Sequence, residues 1–409
     1  MNSNLRFSLI IPVFNKWALT ANCLRSIKEH TPEIPFEVIV VDNASSDETA
    51  TELLPLGEQL FGSLFQHIRY EENRNFGPAC NAGAKAASSP IVFFLNNDTL
   101  VTPGWAPPML EALDSDSGLG GVGPLLLYDD DTVQHLGVVF SIFGVEHLYR
   151  HFPADHPAVK KRRKFQVISG AAIMLRRTLF LEHGGFFEEY KNSFEDVDLC
   201  LRIHSTGLKF STIPESVVYH LESQTPGRRK HDTANGELLS KRCGNLFHVD
   251  LHRFGLDDGF EPFVNDFYEL GMVHARAESE ELMRYAEGKP VSVWQDLLRA
   301  NPYWSRGREY LAGRLEEGGH YNEALELRTN LAGMLGSEQA YKKFIRCAIR
   351  ANNISMQRKA EHYLRMLLNC KLNKNVAEGL AAKAIELAER FQDAYLAGLY
   401  RERLGDADK

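Results

Sequence analysis

The sequence predicts an α/β domain built on an open, largely parallel sheet, followed by an all-α region. Three observations carry this. Short apolar runs rich in β-branched residues alternate with amphipathic stretches over the first hundred residues, as buried strands linked by helices do. Two of these runs end abruptly in acid or amide side chains, at Asp42 and at Asn96-Asn97-Asp98. Beyond about Gly236 the alternation gives way to alanine- and leucine-rich segments at helical spacing.

Phe7 to Val13 and Phe36 to Val41 read as buried strands, with an amphipathic helix from Trp17 to His30 between them. A helix starts near Asp47, His67 to Tyr70 is a weaker strand, and Pro78 to Ala87 is a small-residue helix. Ile91 to Leu95 is the fourth strand. Val122 to Tyr128, Val138 to Phe143, Val167 to Leu175 and Val217 to His220 follow as strands, and Asp196 to Ser205 as a helix. Gly118 to Gly123 (GLGGVG) matches a dinucleotide fingerprint by letter. It precedes a strand instead of following one, so it is expected to be a loop. Leu311 to Met334 reads as a helical hairpin around Gly318-Gly319, similar to a tetratricopeptide unit, and Ala340 to Leu368 and Val376 to Leu404 supply further helical pairs. Repeat-like stacking and an ordinary bundle are both compatible with that pattern.

The 409 residues exceed one typical domain. The expected division is 1–235 for the α/β domain, 236–290 for a helical extension and 291–409 for the helical domain. A net charge of -8 disfavours a generally basic nucleic-acid binder. Six scattered cysteines without a CxxC pair fit a reducing cytoplasm. No signal peptide is apparent, and no apolar run reaches the roughly 20 residues that span a bilayer. The expected location is cytoplasmic, with peripheral contact at the inner face of the membrane if the acceptor is lipid-linked. Lys160 to Lys164 (KKRRK) is a candidate surface for anionic head groups, and otherwise a solvated loop.

Ligands of open α/β sheets sit beyond the carboxyl ends of the strands. Asp42, followed by Asn43, can accept hydrogen bonds from a base or ribose there. Asp98 can bridge a divalent ion to substrate phosphates. Glu195, Asp196 and Asp198, in FEDVDLCLR, place acids at a helix start, where one can serve as general base. His220 ends a strand and can offer a neutral imidazole to a metal. Each has a plainer alternative: a strand-to-helix turn, an Asx turn, a helix cap, a structural histidine.

Taken in order, PVFN (Pro12 to Asn15), VVDNASSDET (Val40 to Thr49), NRNFGPACNAGAKAA (Asn73 to Ala87), FLNNDT (Phe94 to Thr99), SGAAIMLRR (Ser169 to Arg177), FEDVDLCLR (Phe194 to Arg202) and VYHLESQT (Val218 to Thr225) resemble glycosyltransferase family 2. The resemblance is to its rhamnosyltransferase-like and galactofuranosyltransferase-like members. It covers Leu5 to Lys230 and implies a GT-A fold, a Rossmann-like open mixed sheet, with an inverting mechanism. It implies that Pro12, Phe14 and Asp42 bind the nucleoside, and that Asn15, Asn43, Asn75, Gly77, Asn81 and Asn97 belong to the nucleotide-sugar site. Arg228 and Arg229 would face the diphosphate. Asp98 and His220 would hold Mn or Mg, Asp196 would be the base, and Glu195 would position the acceptor or the base. The strand ends in Asn-Asn-Asp where the family's DXD motif has an acid first, which leaves more of the metal shell to diphosphate and water.

The expected partners are a UDP- or dTDP-linked sugar and a glycan or lipid-linked glycan acceptor, without nucleic acid. The helical region is free to serve a homo-oligomer or a protein partner. The competing reading is a non-catalytic scaffold that binds proteins through those helices.

Overall fold

The computed structural model describes residues 5–31, 34–221 and 228–407. The chain forms two compact units, Met1–Val139 with His147–Phe247, and Phe140–Glu146 with His248–Lys409.

The first unit opens with β1 (Phe7–Val13), α1 (Trp17–His30), β2 (Phe36–Asp42), α2 (Thr49–Phe61), β3 (Phe65–Arg69), α3 (Phe76–Ala86) and β4 (Ile91–Leu95). It continues through β5 (Thr99–Val101), α4 (Pro107–Ser115), β6 (Leu119–Leu127), β7 (Val133–His135) and β10 (Arg163–Phe165), whereas the intervening β8 (Val138–Ser141) and β9 (Gly144–His147) belong in part to the second unit. β11 (Ala172–Arg176), α5 (Arg177–Glu182), α6 (Glu195–His204), β12 (Lys209–His220) and α7 (Asp232–Cys243) complete it. The main sheet runs β10-β12-β6-β11-β4-β1-β2-β3, with β5 on β12 and β7 on β6.

β1 to β4 are mutually parallel where they pair, β11 is antiparallel to both β4 and β6, and β12 is parallel to β6. The carboxyl ends of β1, β2, β4, β6 and β12 therefore share one edge, together with the start of β11. β1 is buried along its whole length because helices cover both faces. Phe7, Leu9, Ile11 and Val13 join the core that holds Leu24 and Ile27 of α1. Ile10 points the other way, onto α3, where a Cβ on Gly83 would lie 2.4 Å from it. The β1–β4 ladder spans Ser8 to Ile10, so Pro12, which lacks an N–H, lies beyond it.

Two expectations of the sequence reading are corrected here. GLGGVG is not a loop: Leu119 onward is β6, a fully buried strand between β11 and β12. Its glycines permit close approach, since a Cβ would sit 3.0 Å from the Met174 carbonyl at Gly121 and 2.8 Å from that of Ala172 at Gly123. The run from Val167 becomes a strand only at Ala172, and the preceding residues form a turn. The strand seen at Val217 to His220 is the end of the longer β12, whose register shifts between Ile213 and Val217, across Pro214.

The second unit contains α8 (Leu251–Asp257), a hairpin of β13 (Phe260–Val264) and β14 (Leu270–His274), α9 (Arg276–Ala286) and α10 (Val291–Ala300). The hairpin was not expected. Six helices follow: α11 (Ser305–Glu317), α12 (Tyr321–Leu335), α13 (Glu338–Arg350), α14 (Ile354–Leu372), α15 (Lys374–Arg390) and α16 (Ala394–Ala407). Each packs on the next, around a core in which Trp294 and Trp304 stack at 5.5 Å. The last helix returns to the hairpin turn, where the Tyr400 hydroxyl donates to the Tyr268 carbonyl at 3.1 Å.

Candidate active site

Asp42 ends β2 and is fully buried. A buried carboxylate needs compensation. Ser45 N–H donates to its Oδ1 at 2.8 Å, and Arg69, its register partner on β3, pairs with Oδ2. Arg69 also donates to the Ser45 carbonyl at 2.8 Å. Burial pushes His67, 4.0 Å from the same carboxylate, below the ordinary imidazole value. The turn after Asp42 is laced to the loop after β1. Asn15, at φ 57°, accepts the Ser46 N–H at 2.8 Å and donates its own N–H to Ser45 Oγ at 2.8 Å. Asn43 donates to the Asn75 carbonyl at 2.9 Å and accepts from Arg74 N–H at 2.8 Å. Phe14 stands exposed at the rim.

At the end of β4, Asp98 Oδ1 lies 3.1 Å from His220 Nε2 at the end of β12. The two strand ends are joined by the bond from Leu221 N–H to the Asp98 carbonyl, 2.9 Å. Asn96 Nδ2 is 3.2 Å from the same Nε2, and Asn97 donates to Thr20 of α1 at 2.8 Å. On the far side of the ring, Nδ1 is 2.6 Å from Gln134 Oε1.

The third element is the start of α6. Phe194, at φ 72°, turns the chain sharply and leaves Glu195 and Asp196 in the first helical turn. Asp196 Oδ2 accepts from Gly170 N–H at 2.7 Å, and Oδ1 from Val197 N–H at 2.8 Å. The neighbour of Gly170, Ala171, accepts the Asn96 N–H through its carbonyl at 2.8 Å. A two-residue turn thus ties the acid of α6 to the Asn96–Asp98 loop. Glu195 is buried; burial first, and then the Glu195 charge, push the Cys80 thiol up. Asp198 has a different place. It is fully buried between Arg202 and Arg242, each 2.6 Å away, with the Tyr190 hydroxyl at 3.1 Å. Burial alone would raise its carboxyl. The hydrogen bonds from Arg242 and Arg202 outweigh that and hold it below the ordinary carboxylate value.

Residues 8–184 match the family profile described as Glycosyl transferase family 2. Over that stretch the chain carries a glycosyltransferase family 2 domain. Its mixed sheet followed by helices is the GT-A-like arrangement that the motifs imply. An uncharacterized protein of Sinorhizobium fredii is 31% identical over 54% of this chain and 25% of its own length. The O-antigen biosynthesis protein RfbC of Myxococcus xanthus is 29% identical over 53% of this chain and 17% of its own. The O-antigen chain rhamnosyltransferase RfbN of Salmonella typhimurium is 27% identical over 54% of this chain and 68% of its own. The chain thus spans a quarter or less of the length of the first two relatives.

The first unit brings Asp42, Asn43, Asp98, His220 and Asp196 to one sheet edge. Asn75, at φ 68°, immediately precedes α3 and accepts the Asn43 amide through its carbonyl. Gly77 and Asn81 hold the turn after α5: a Cβ on Gly77 would touch Phe186 at 3.4 Å, and the Asn81 amide bonds the Phe186 backbone at 2.8 and 2.9 Å and Glu188 at 3.0 Å. Arg228 and Arg229 begin a short 3-10 turn, Arg228–His231, and their side chains lie outside the described residues, as do Glu222 to Thr225. Two contributors escaped the sequence reading, Arg69 and Gln134. Neither sits in a motif, and each acts through a partner distant in sequence. In the basic run, Arg162 pairs with Glu215 and Lys164 with Asp116. No described helix is long and apolar enough to cross a membrane.

Proposed function

We propose that the chain is an inverting glycosyltransferase of surface-glycan synthesis, moving a sugar from a UDP- or dTDP-linked donor to a hydroxyl of a glycan or lipid-linked glycan. The observation that carries this is the convergence of Asp42, Asp98 with His220, and Asp196 on one edge of the sheet. Asp42 and Arg69 lie where a base would be read, at the ends of β2 and β3. Asp196 takes the proton of the acceptor hydroxyl as its oxygen attacks the anomeric carbon. The bond from that carbon to the diphosphate oxygen breaks on the opposite face, so the configuration inverts.

The Asp98–His220 pair suits a divalent ion: a carboxylate oxygen and an imidazole nitrogen face each other at 3.1 Å. Among the described residues no cluster of three or more His, Cys, Asp or Glu joins in holding a metal, so diphosphate and water would complete the shell. The imidazole favours Mn over Mg. When bound, the ion supplies charge to neutralise the departing diphosphate. The rhamnosyltransferase relative supports a deoxyhexose donor and an O-antigen-type acceptor. Nothing in the fold or the relatives favours the non-catalytic scaffold.

The test is to incubate the protein with UDP- and dTDP-sugars and a panel of glycan acceptors, reading diphosphate release and the anomeric configuration of the product by NMR. An inverted glycoside from one donor supports the proposal; a retained configuration, or no turnover with any pair, contradicts it.

A further inference from the structure

Gln134 lies on β7, well away from every motif, and is buried. Both ends of its amide are spent on one residue. Nε2 donates to the His220 carbonyl at 2.9 Å, and Oε1 lies 2.6 Å from His220 Nδ1. A backbone carbonyl only accepts, so the amide nitrogen must face it. The amide oxygen is thereby left against Nδ1, and an amide oxygen also only accepts. Nδ1 therefore carries the ring proton, and in the neutral ring Nε2 keeps its lone pair. That lone pair is the one 3.1 Å from Asp98 Oδ1, with Asn96 Nδ2 at 3.2 Å as the donor it accepts.

We infer that Gln134 is a positioning residue that locks His220 in the tautomer and orientation able to share a divalent cation with Asp98. This rests on the metal reading of that pair. The bidentate grip gives the lock its strength: the imidazole cannot rotate or exchange tautomer without breaking the bond to Gln134. A neutral amide, unlike a carboxylate, does so without drawing a second proton onto the ring. Asn96, at the first position of the metal motif, then acts as a donor to Nε2 in the metal-free protein and gives up that bond to the cation.

The experiment uses the full chain with 15N-labelled histidine. The nitrogen shifts of His220, assigned by comparison with His220→Ala, are read without metal in wild type, Gln134→Leu and Gln134→Glu. Mn affinity is then measured by calorimetry in the presence of UDP and of dTDP, with circular dichroism to establish folding. Wild type should show a protonated Nδ1 and a bare Nε2. Gln134→Leu should lose this single signature and bind Mn about 10- to 100-fold more weakly, as loss of an outer-shell partner does, while its nucleotide affinity in chelator is unchanged. Gln134→Glu keeps an acceptor against Nδ1 but, as a carboxylate, draws a second proton onto the ring, so it should show both ring nitrogens protonated and weakened Mn binding, which keeps the inference testable even if the leucine variant does not fold. A wild-type proton on Nε2, or Mn affinity in Gln134→Leu within about twofold of wild type against that expected loss, overturns the inference. If His220→Ala itself binds Mn as wild type does, the metal reading falls and takes the inference with it.

Discussion

Asp196 and Asp198 are two residues apart and have opposite work. Asp196 is held by two backbone amides at the sheet edge, whereas Asp198 is enclosed by two arginines. Asp196→Asn should keep donor affinity and lower kcat by about 10²- to 10⁴-fold, the usual contribution of a general base; steady-state kinetics with calorimetric donor binding checks it. Asp198→Ala should instead unfold the domain more easily, by about 1–3 kcal/mol, because it removes the buried carboxylate to which Arg202, Arg242 and the Tyr190 hydroxyl bond. Denaturant melts measure that. The native Asp198 carboxyl titrates below its unfolded value of 3.8. Its stabilisation is therefore complete above that value and is lost as pH falls through the lower native one. Asp198→Asn should accordingly flatten the acid limb of the stability profile, followed by thermal melts from neutral pH downward.

At the scale of elements, the turn before β11 matters more than its length suggests. A Cβ on Gly170 would lie 2.8 Å from the Asp196 Cβ, so Gly170→Ala should displace the proposed base and reduce kcat while leaving the far-UV spectrum unchanged. Gly123→Ala should destabilise by about 1–3 kcal/mol through overpacking against the Ala172 carbonyl, read by chemical denaturation. The same elements show what was legible in the sequence. β1 and α1 coincide with the ranges read from periodicity, because an apolar run and an amphipathic stretch declare themselves locally. β6 was read from Val122 onward, but its start at Leu119 to Gly121 was not, since those glycines look like turn residues until β11 and β12 press against them. Most of β12 was hidden by Pro214 at its register shift. β13 and β14 were too short, and carry Pro262 and Gly271. In the site, Asp42, Asp98, Asp196 and His220 were legible as motif residues at strand or helix ends. Arg69 and Gln134 were not, because their meaning lies in partners that only the fold supplies.

For the whole molecule, the chain order and the division into units do not coincide. Phe140–Glu146 belongs to the unit otherwise formed by His248–Lys409, and Phe140 exchanges bonds with Asp250, its N–H donating to Oδ1 at 2.8 Å. A fragment ending at Phe247 should therefore carry an orphaned apolar segment and aggregate on size-exclusion chromatography where the full chain does not. The central claim concerns the sheet edge, where strands from across the unit assemble one metal-dependent nucleotide-sugar site. Calorimetric titration of UDP and dTDP with Mn, with Mg and with chelator, on wild type and Asp98→Ala, tests it most directly. The account predicts tight binding of one diphosphate with Mn, weaker binding with Mg, and loss of the metal effect both in chelator and in Asp98→Ala. Binding in chelator, or in Asp98→Ala, as strong as that of the wild type with Mn would contradict it.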